Sequence, residues 1–493
     1  PTLEKMPQNH QIELVLGAGE SPATRICEAE PMPPRDPTTD RPAPDLAIIG
    51  ATALIDTPAI GVDGPAVFAA ATTIEITDGA ITWIGPSADA GTRPAAREQI
   101  DASGLVAMPG LINTHCHAAM TFLRGVAEDV PIANWFNDYI WPMEVNVGGR
   151  DVYIGTLVAA AEMIEAGITS FADHYFFMDE AARAVEESGM RANLGSAFFS
   201  SQGAEGLAQT AEFAETWHGR AGGRITTSIA PHAPYTCTDD DLRGAADAAR
   251  RLGVRVHVHA AEDMHQTQLS VEGRGVTPIQ VLAETGVLDA GVIIAHGNGI
   301  LDADIALLAA HRDRVGVTHG PKGYLKYALG PLTPIRGLLA AGVPVGYCTD
   351  GAASNSTLDV FENMRITAIT QKHAADDATW FRSGTALQIA GPGAAAVIGQ
   401  PGMIGELRVG ARADVILVDV SGFHCQPLHD LAATLVYCVQ ASDVRTTIVD
   451  GKVLMRDRRL LTIDREALLT EFRQRASALT DRSHGRTIQG YTT

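Results

Sequence analysis

The chain has 493 residues, is 46% hydrophobic and carries a formal net charge of −21. That length accommodates two domains, or one large barrel with an extra domain, and that charge repels phosphate backbones and argues against a nucleic-acid partner. No run approaches the roughly 18 apolar residues of a membrane span. No basic-then-apolar leader is visible, and the six cysteines are scattered with no CxxC pair, which suits reduced thiols in the cytoplasm.

Residues 1–45 come first and contain "EAEPMPPRDPTTDRPAPD". Proline and charge at that density cannot bury a core, so a flexible segment is expected. Over 46–107 the texture changes to short strands, "LAIIGATALID", "AVFAAATTIEITDGAITWIG" and "REQIDASGLVAM", with Asp78-Gly79 as a hairpin turn. The same texture returns over 401–460 in "GELRVGARADVILVDV" and "VRTTIVDGKVLMRDRRLLT", where Asp450-Gly451 repeats the turn. The two blocks are expected to pair into one small β-domain built from both ends of the chain. Residues 461–493 read as a helix, "REALLTEFRQRASAL", followed by a polar tail.

Between these blocks, over 108–400, short apolar strands alternate with helical patterns such as "YIGTLVAAAEMIEAG" and "TDDDLRGAADAARRLG". Eight strands are legible: "LINTHCH", "GITSFADHY", "RANLGSAFF", "RITTSIAPH", "VRVHVHAAE", "GVIIAHGN", "VGVTHGP" and "VPVGYCTDG". The fold class is therefore α/β, a (β/α)8 TIM barrel, with its active site expected at the C-terminal strand ends.

Polar residues collect at those ends. Strand one finishes in His115 and His117, strand two in Asp173 and His174, and strand four in His232. Strand five carries His257 and His259, then Glu262; strands six, seven and eight finish in His296, His319 and Asp350. Positions i and i+2 of a strand face one way, so His115 and His117 point together. Taken singly, the pair could be accidental, a lone histidine could be a hydrogen-bonded core residue, and Asp350-Gly351 could be a turn. The conjunction at one end of the strands argues for a metal. Three imidazoles and one carboxylate suit Zn²⁺ or Fe²⁺ better than Mg²⁺ or Ca²⁺. The ligand set is His115, His117, His259 and Asp350, with His257, of the same parity, as the rival to His259.

The stretches "PGLINTHCHAAMTFLRGVAEDV", "WFNDYIWPME", "PHAPYTC", "HAAED", "AHGNG" and "CTDGAASNSTLDVFENMR" resemble the amidohydrolase superfamily. Within it they are most similar to the methylthioadenosine/S-adenosylhomocysteine deaminase and triazine-hydrolase group, over about 46–460. The resemblance implies a barrel with a composite β-sandwich. It favours His259 over His257, because the family's metal histidine precedes a glutamate by three residues. It implies Glu262 as the proton-shuttling acid, His296 as the contact to the reacting group, His232 and Trp135 as substrate-pocket residues, and Glu144 as the acceptor of ribose hydroxyls. Binuclear relatives bridge two metals with a mid-barrel lysine. The chain has only five lysines, Lys5, Lys322, Lys326, Lys372 and Lys452, so none is available there and one metal per chain is expected.

The implied reaction is hydrolytic deamination of an aminated N-heterocycle, foremost a 6-aminopurine nucleoside of the adenosine, methylthioadenosine or S-adenosylhomocysteine type. Triazine chlorohydrolysis or aminohydrolysis, pterin or guanine deamination, and a non-catalytic scaffold are the alternatives. Expected companions are one Zn²⁺ (or Fe²⁺), a small heterocyclic substrate, no membrane and a homo-oligomer, dimer or tetramer. Three positions depart from the group. Ser196 falls near a strand-three arginine of the deaminases, Cys348 replaces a glycine and should point into the barrel, and Lys322 replaces a small polar residue. Lys322 is expected to face water rather than a substrate anion.

Overall fold

The computed structural model describes residues 42–491. The flexible segment expected over 1–45 lies, but for its last residues, outside the described residues. Eight parallel strands make one sheet in sequential order: β1 (Leu111–Cys116), β2 (Ile168–Tyr175), β3 (Arg191–Phe198), β4 (Ile225–Pro231), β5 (Arg255–Ala260), β6 (Val292–His296), β7 (Val315–His319) and β8 (Val345–Tyr347). Each falls on a run legible in the sequence. Every residue of β1 and β2 is buried, as expected for a parallel sheet covered on both faces. The last strand returns to the first: Thr114 Oγ1 donates to the Tyr347 carbonyl at 2.9 Å, and the Asp350 N–H to the His115 carbonyl at 3.1 Å.

The helices between strands follow their local chemistry. The helix Asp239–Leu252 starts where Thr238 Oγ1 accepts the Asp241 N–H at 3.2 Å, with three aspartates in its first turn. It ends on Gly253 in the left-handed region, with Arg250 and Arg251 in the last turn. Cap, charge order and terminal glycine all favour that span.

A second, nine-stranded mixed sheet draws on both ends of the chain. Leu105–Pro109 pairs antiparallel with Val415–Asp419, which joins the early block to the late one. Its two Asp-Gly hairpins have both turn residues left-handed, φ 51° and 72° at Asp78-Gly79 and 54° and 74° at Asp450-Gly451, the geometry that matches strand twist. Arg191, at the start of β3, is only 1% exposed. It donates to Asp414 at 2.7 and 3.1 Å and to Asp450 at 3.1 Å. A buried guanidinium needs such partners, so these two carboxylates tie the barrel to the second sheet.

Two segments differ from the sequence reading. "WFNDYIWPME", given no element there, forms a helical stretch with a wide π turn over Trp135–Ile140 between Ile132–Asn134 and Trp141–Glu144. The polar tail beyond the helix Arg465–Leu479 crosses back over that stretch, and its Tyr491 is buried by stacking on Phe136. Among the described residues no helix is long and apolar enough to cross a membrane.

Candidate active site

The histidines at the strand ends are oriented from behind. His117 Nδ1 lies 2.6 Å from the His174 carbonyl, and His259 Nδ1 lies 2.8 Å from the His232 carbonyl. A carbonyl only accepts, so both Nδ1 atoms carry the proton and both Nε2 atoms present a lone pair. His115 Nδ1 lies 2.9 Å from His257 Nε2, and His115 Nε2 is buried with no hydrogen-bond partner. His257 therefore sits behind His115, its Nε2 already engaged.

The free Nε2 atoms converge. His117 and His259 Nε2 are 3.3 Å apart, and Asp350 Oδ1 stands 3.2 Å from His117 Nε2 and 3.5 Å from His115 Nε2. Lone pairs held this close repel unless a cation lies among them. Three imidazoles, one carboxylate and outward-fixed Nδ1 protons fit a divalent metal of the zinc type. Asp350 Oδ2 is taken by the Ser354 hydroxyl. Ala261, His296 and Asp350 all hold left-handed backbone, φ 49°, 81° and 54°, and such strain concentrates at functional sites.

A cleft opens over this cluster. His117, His259, Asp350, Glu262, His296, His232, Glu144 and Trp135 all line it, while His115 lies beneath, fully buried. Burial pushes the Glu262 carboxyl up to about 8, against a hydrogen bond from Tyr235, and the Asp263 and Asp350 charges add to the rise. Burial likewise raises Glu144 to about 7, opposed by Tyr175. Each has one oxygen, Oε1, without a partner. Burial lowers the pKa of His296, leaving a neutral imidazole with Nδ1 3.0 Å from the Tyr324 hydroxyl. His232 Nδ1 bonds Thr236 Oγ1 at 2.8 Å. The Trp135 indole is 4% exposed and its Nε1 is unpartnered.

The remaining strand-end residues have other places. His174 lines the cleft, with Nε2 3.4 Å from the Pro231 carbonyl. Asp173 accepts the Ala118 N–H at 2.9 Å and shapes the turn after β1, and His319 is buried against Thr333 at 2.9 Å. Lys322 does not face water: Nζ donates to Glu362 at 2.8 Å and to Thr357 at 3.0 Å, and the side chain is 22% exposed. Its carboxylate neighbour on the helix Val360–Ala375 explains the difference. Cys348 is fully buried, its Sγ 3.0 Å from where a Cβ on Gly320 would stand, and Gly320 rather than Cys348 reaches the cleft. Ser196 lines an adjoining compartment with Glu144, and the cation there, Arg486, comes from the C-terminal tail. Sequence reasoning missed five cleft tyrosines, Tyr175, Tyr235, Tyr324, Tyr327 and Tyr491. The first four stand within or beside the strand-end motifs; Tyr491 carries no local signal.

An eight-stranded parallel barrel with histidines and carboxylates converging at its strand ends defines a hydrolase of the metal-dependent barrel class. Residues 106–454 match the Amidohydrolase family, and the chain belongs to that family. It is 43% identical over 408 residues to a 5-methylthioadenosine/S-adenosylhomocysteine deaminase of Desulforudis audaxviator, covering 82% of this chain and 94% of that protein. An adenosine deaminase of Xanthomonas campestris, crystallised with bound zinc, superposes with a TM-score of 0.83 at 33% identity, covering 89% of this chain and 99% of that one. An atrazine chlorohydrolase of Arthrobacter aurescens, complexed with zinc, superposes at 0.77 over 88% of this chain and 100% of that one; at 23% identity this is a likeness of fold.

Proposed function

We propose that the protein is a zinc-dependent deaminase of 6-aminopurine ribonucleosides, with His115, His117, His259 and Asp350 as metal ligands. The observation that carries the reading is Glu144: a buried carboxyl, one oxygen free, lining the same cleft as the ligand cluster. A vicinal diol is the partner such an oxygen lacks. The likeness to deaminases of adenine nucleosides supports the substrate class, and the zinc in the Xanthomonas campestris enzyme supports zinc over iron.

When bound, the metal supplies Lewis acidity and a hydroxide nucleophile at neutral pH. The chain's own groups move the protons. Asp350 takes the proton released as the nucleophile forms. Glu262, held protonated by burial, donates to the ring nitrogen beside the attacked carbon, so that negative charge does not accumulate there. Neutral His296, anchored on Tyr324, hydrogen-bonds the oxygen added at that carbon. The proton on Asp350 passes to the amino nitrogen, the C–N bond breaks and ammonia leaves, and the proton of the added hydroxyl returns to Glu262 as the carbonyl forms. Trp135 and His232 hold the base, and Glu144 the sugar. The high negative charge and the five cysteines of the described residues, all unpaired, support a cytoplasmic enzyme that does not bind nucleic acid, and we carry forward a homo-oligomer, dimer or tetramer, to be read by light scattering.

Steady-state ammonia release tests the reading. Adenosine should exceed 2′,3′-dideoxyadenosine in kcat/KM by roughly tenfold or more, the scale of one or two charge-assisted hydrogen bonds. Glu144→Ala should erase that preference and retain the metal. Equal rates on the two nucleosides in the unsubstituted enzyme would remove Glu144 from sugar recognition, and turnover of a chlorinated triazine alone would transfer the site to the chlorohydrolase reaction.

A further inference from the structure

One wall of the cleft comes from outside the barrel loops. Beyond the helix Arg465–Leu479, residues 480–491 run back across the strand-end face as a strap. Asn146 Nδ2 donates to the Leu479 carbonyl at 3.2 Å and the Asp481 carbonyl at 2.7 Å. The Arg482 guanidinium stacks on Tyr139 at 4.3 Å. Asn137 and Tyr491 exchange two hydrogen bonds, Nδ2 to the Tyr491 carbonyl at 3.0 Å and the Tyr491 N–H to Oδ1 at 2.8 Å. These anchors lie over residues 137–146, on and just beyond the stretch that carries Trp135 and Glu144.

The strap delivers a side chain to the site. Tyr491 is 7% exposed, its ring lies 4.7 Å from Phe136 at an interplanar angle of 10°, and its centroid is 6.2 Å from that of Tyr235. It lines the same cleft as His117 and Glu262. Burial and the Glu262 charge push its hydroxyl pKa up, so it stays neutral. The position has a consequence for the substrate ring. In the deaminase reading Glu262 donates to the ring nitrogen beside the attacked carbon, which would set the next ring carbon past Glu262 and away from the metal ligands. The groups on that side are Tyr235, which bonds Glu262, and Tyr491 facing Tyr235.

We propose that Tyr491 is a specificity-determining residue whose ring closes the cleft beyond Glu262 and selects aminopurines unsubstituted at the carbon that follows the protonated nitrogen. The inference rests on the deaminase reading of this site. In purine numbering that carbon is C2, so the probe pair is adenosine and 2-methyladenosine.

The experiment measures kcat/KM of the zinc-loaded full chain on both. The unsubstituted enzyme should prefer adenosine by about tenfold or more, the usual discrimination for one added methyl in a closed pocket. Tyr491→Ala should bring the ratio close to one, and Tyr491→Phe should preserve it, because the ring and not the hydroxyl makes the wall. Zinc content and near-ultraviolet circular dichroism check folding, with Tyr491→Leu as the milder variant should the alanine protein fail to fold. An enzyme indifferent to the methyl group, or a ratio that survives both Tyr491→Ala and Tyr491→Leu, overturns the proposal. If neither nucleoside releases ammonia, the deaminase reading fails separately, and the wall is read by the rate at which 1,10-phenanthroline extracts zinc. Tyr491→Ala should then lose zinc several-fold faster, and an unchanged rate overturns the wall.

Discussion

Burial raises the Glu262 carboxyl pKa to about 8, because it penalises the charged form more than the Tyr235 hydrogen bond favours it, and the Asp263 and Asp350 charges add to the rise. A group that donates in the rate-limiting step is active below its pKa and inactive above it. We therefore expect kcat/KM to fall as pH rises through the Glu262 transition, at or somewhat below about 8, since a bound cation stabilises the carboxylate. Glu262→Gln should remove that limb, retain zinc and lower kcat at least about a hundredfold; near-full turnover would show that another group supplies the proton. His257 works one layer further out. As the acceptor for His115 Nδ1 at 2.9 Å it fixes which nitrogen of His115 faces the cluster. His257→Leu should weaken zinc binding by roughly ten- to a hundredfold, measured by competition with a chromophoric chelator, and an unchanged affinity would make His257 a packing residue. This distinction was only half legible in the sequence. Strand parity put His257 and His259 on the same side, and only the family likeness of "HAAED" separated them. Parity cannot say which imidazole stands nearer the barrel mouth.

At the scale of elements, the joint between the barrel and the second sheet is a buried ion cluster. Arg191 on β3 meets Asp414 and Asp450, which lie just before and just after strands of the late block. Removing one partner leaves a charge in the interior, so Asp414→Ala should cost about 3–5 kcal/mol in denaturant unfolding. A loss under about 1 kcal/mol would mean that Asp450 alone satisfies the guanidinium. The strands around this joint were legible because their signals are local. Period-2 alternation, Asp-Gly turns and continuous apolar runs marked nearly every strand in both sheets. The helical stretch over 132–144 was not, because a π turn has no period of its own and Pro142 sits within it. What stabilises it is tertiary: the burial of Trp135 and Trp141, and the stacking of Tyr491 from the tail on Phe136.

Over the whole molecule, the site assembles residues from position 115 to position 491. The barrel half of that assembly followed from motif order, since each motif occupies the end of its own strand. The strap half did not. Tyr491 lies in a polar stretch without periodicity, and its burial depends on Phe136, 355 positions earlier, which no local pattern reports. The metal should number one per chain, since no lysine stands between residues 6 and 321 to bridge a second. Two zinc ions per chain after reconstitution, by elemental analysis, would contradict that. The most direct measurement of the central claim is ammonia release from 5′-methylthioadenosine by the zinc-loaded protein. The expected result is one ammonia per nucleoside consumed, with an inosine-type product, and loss of that activity when His259→Ala removes the metal. Full zinc occupancy with no ammonia from any 6-aminopurine ribonucleoside would contradict the account.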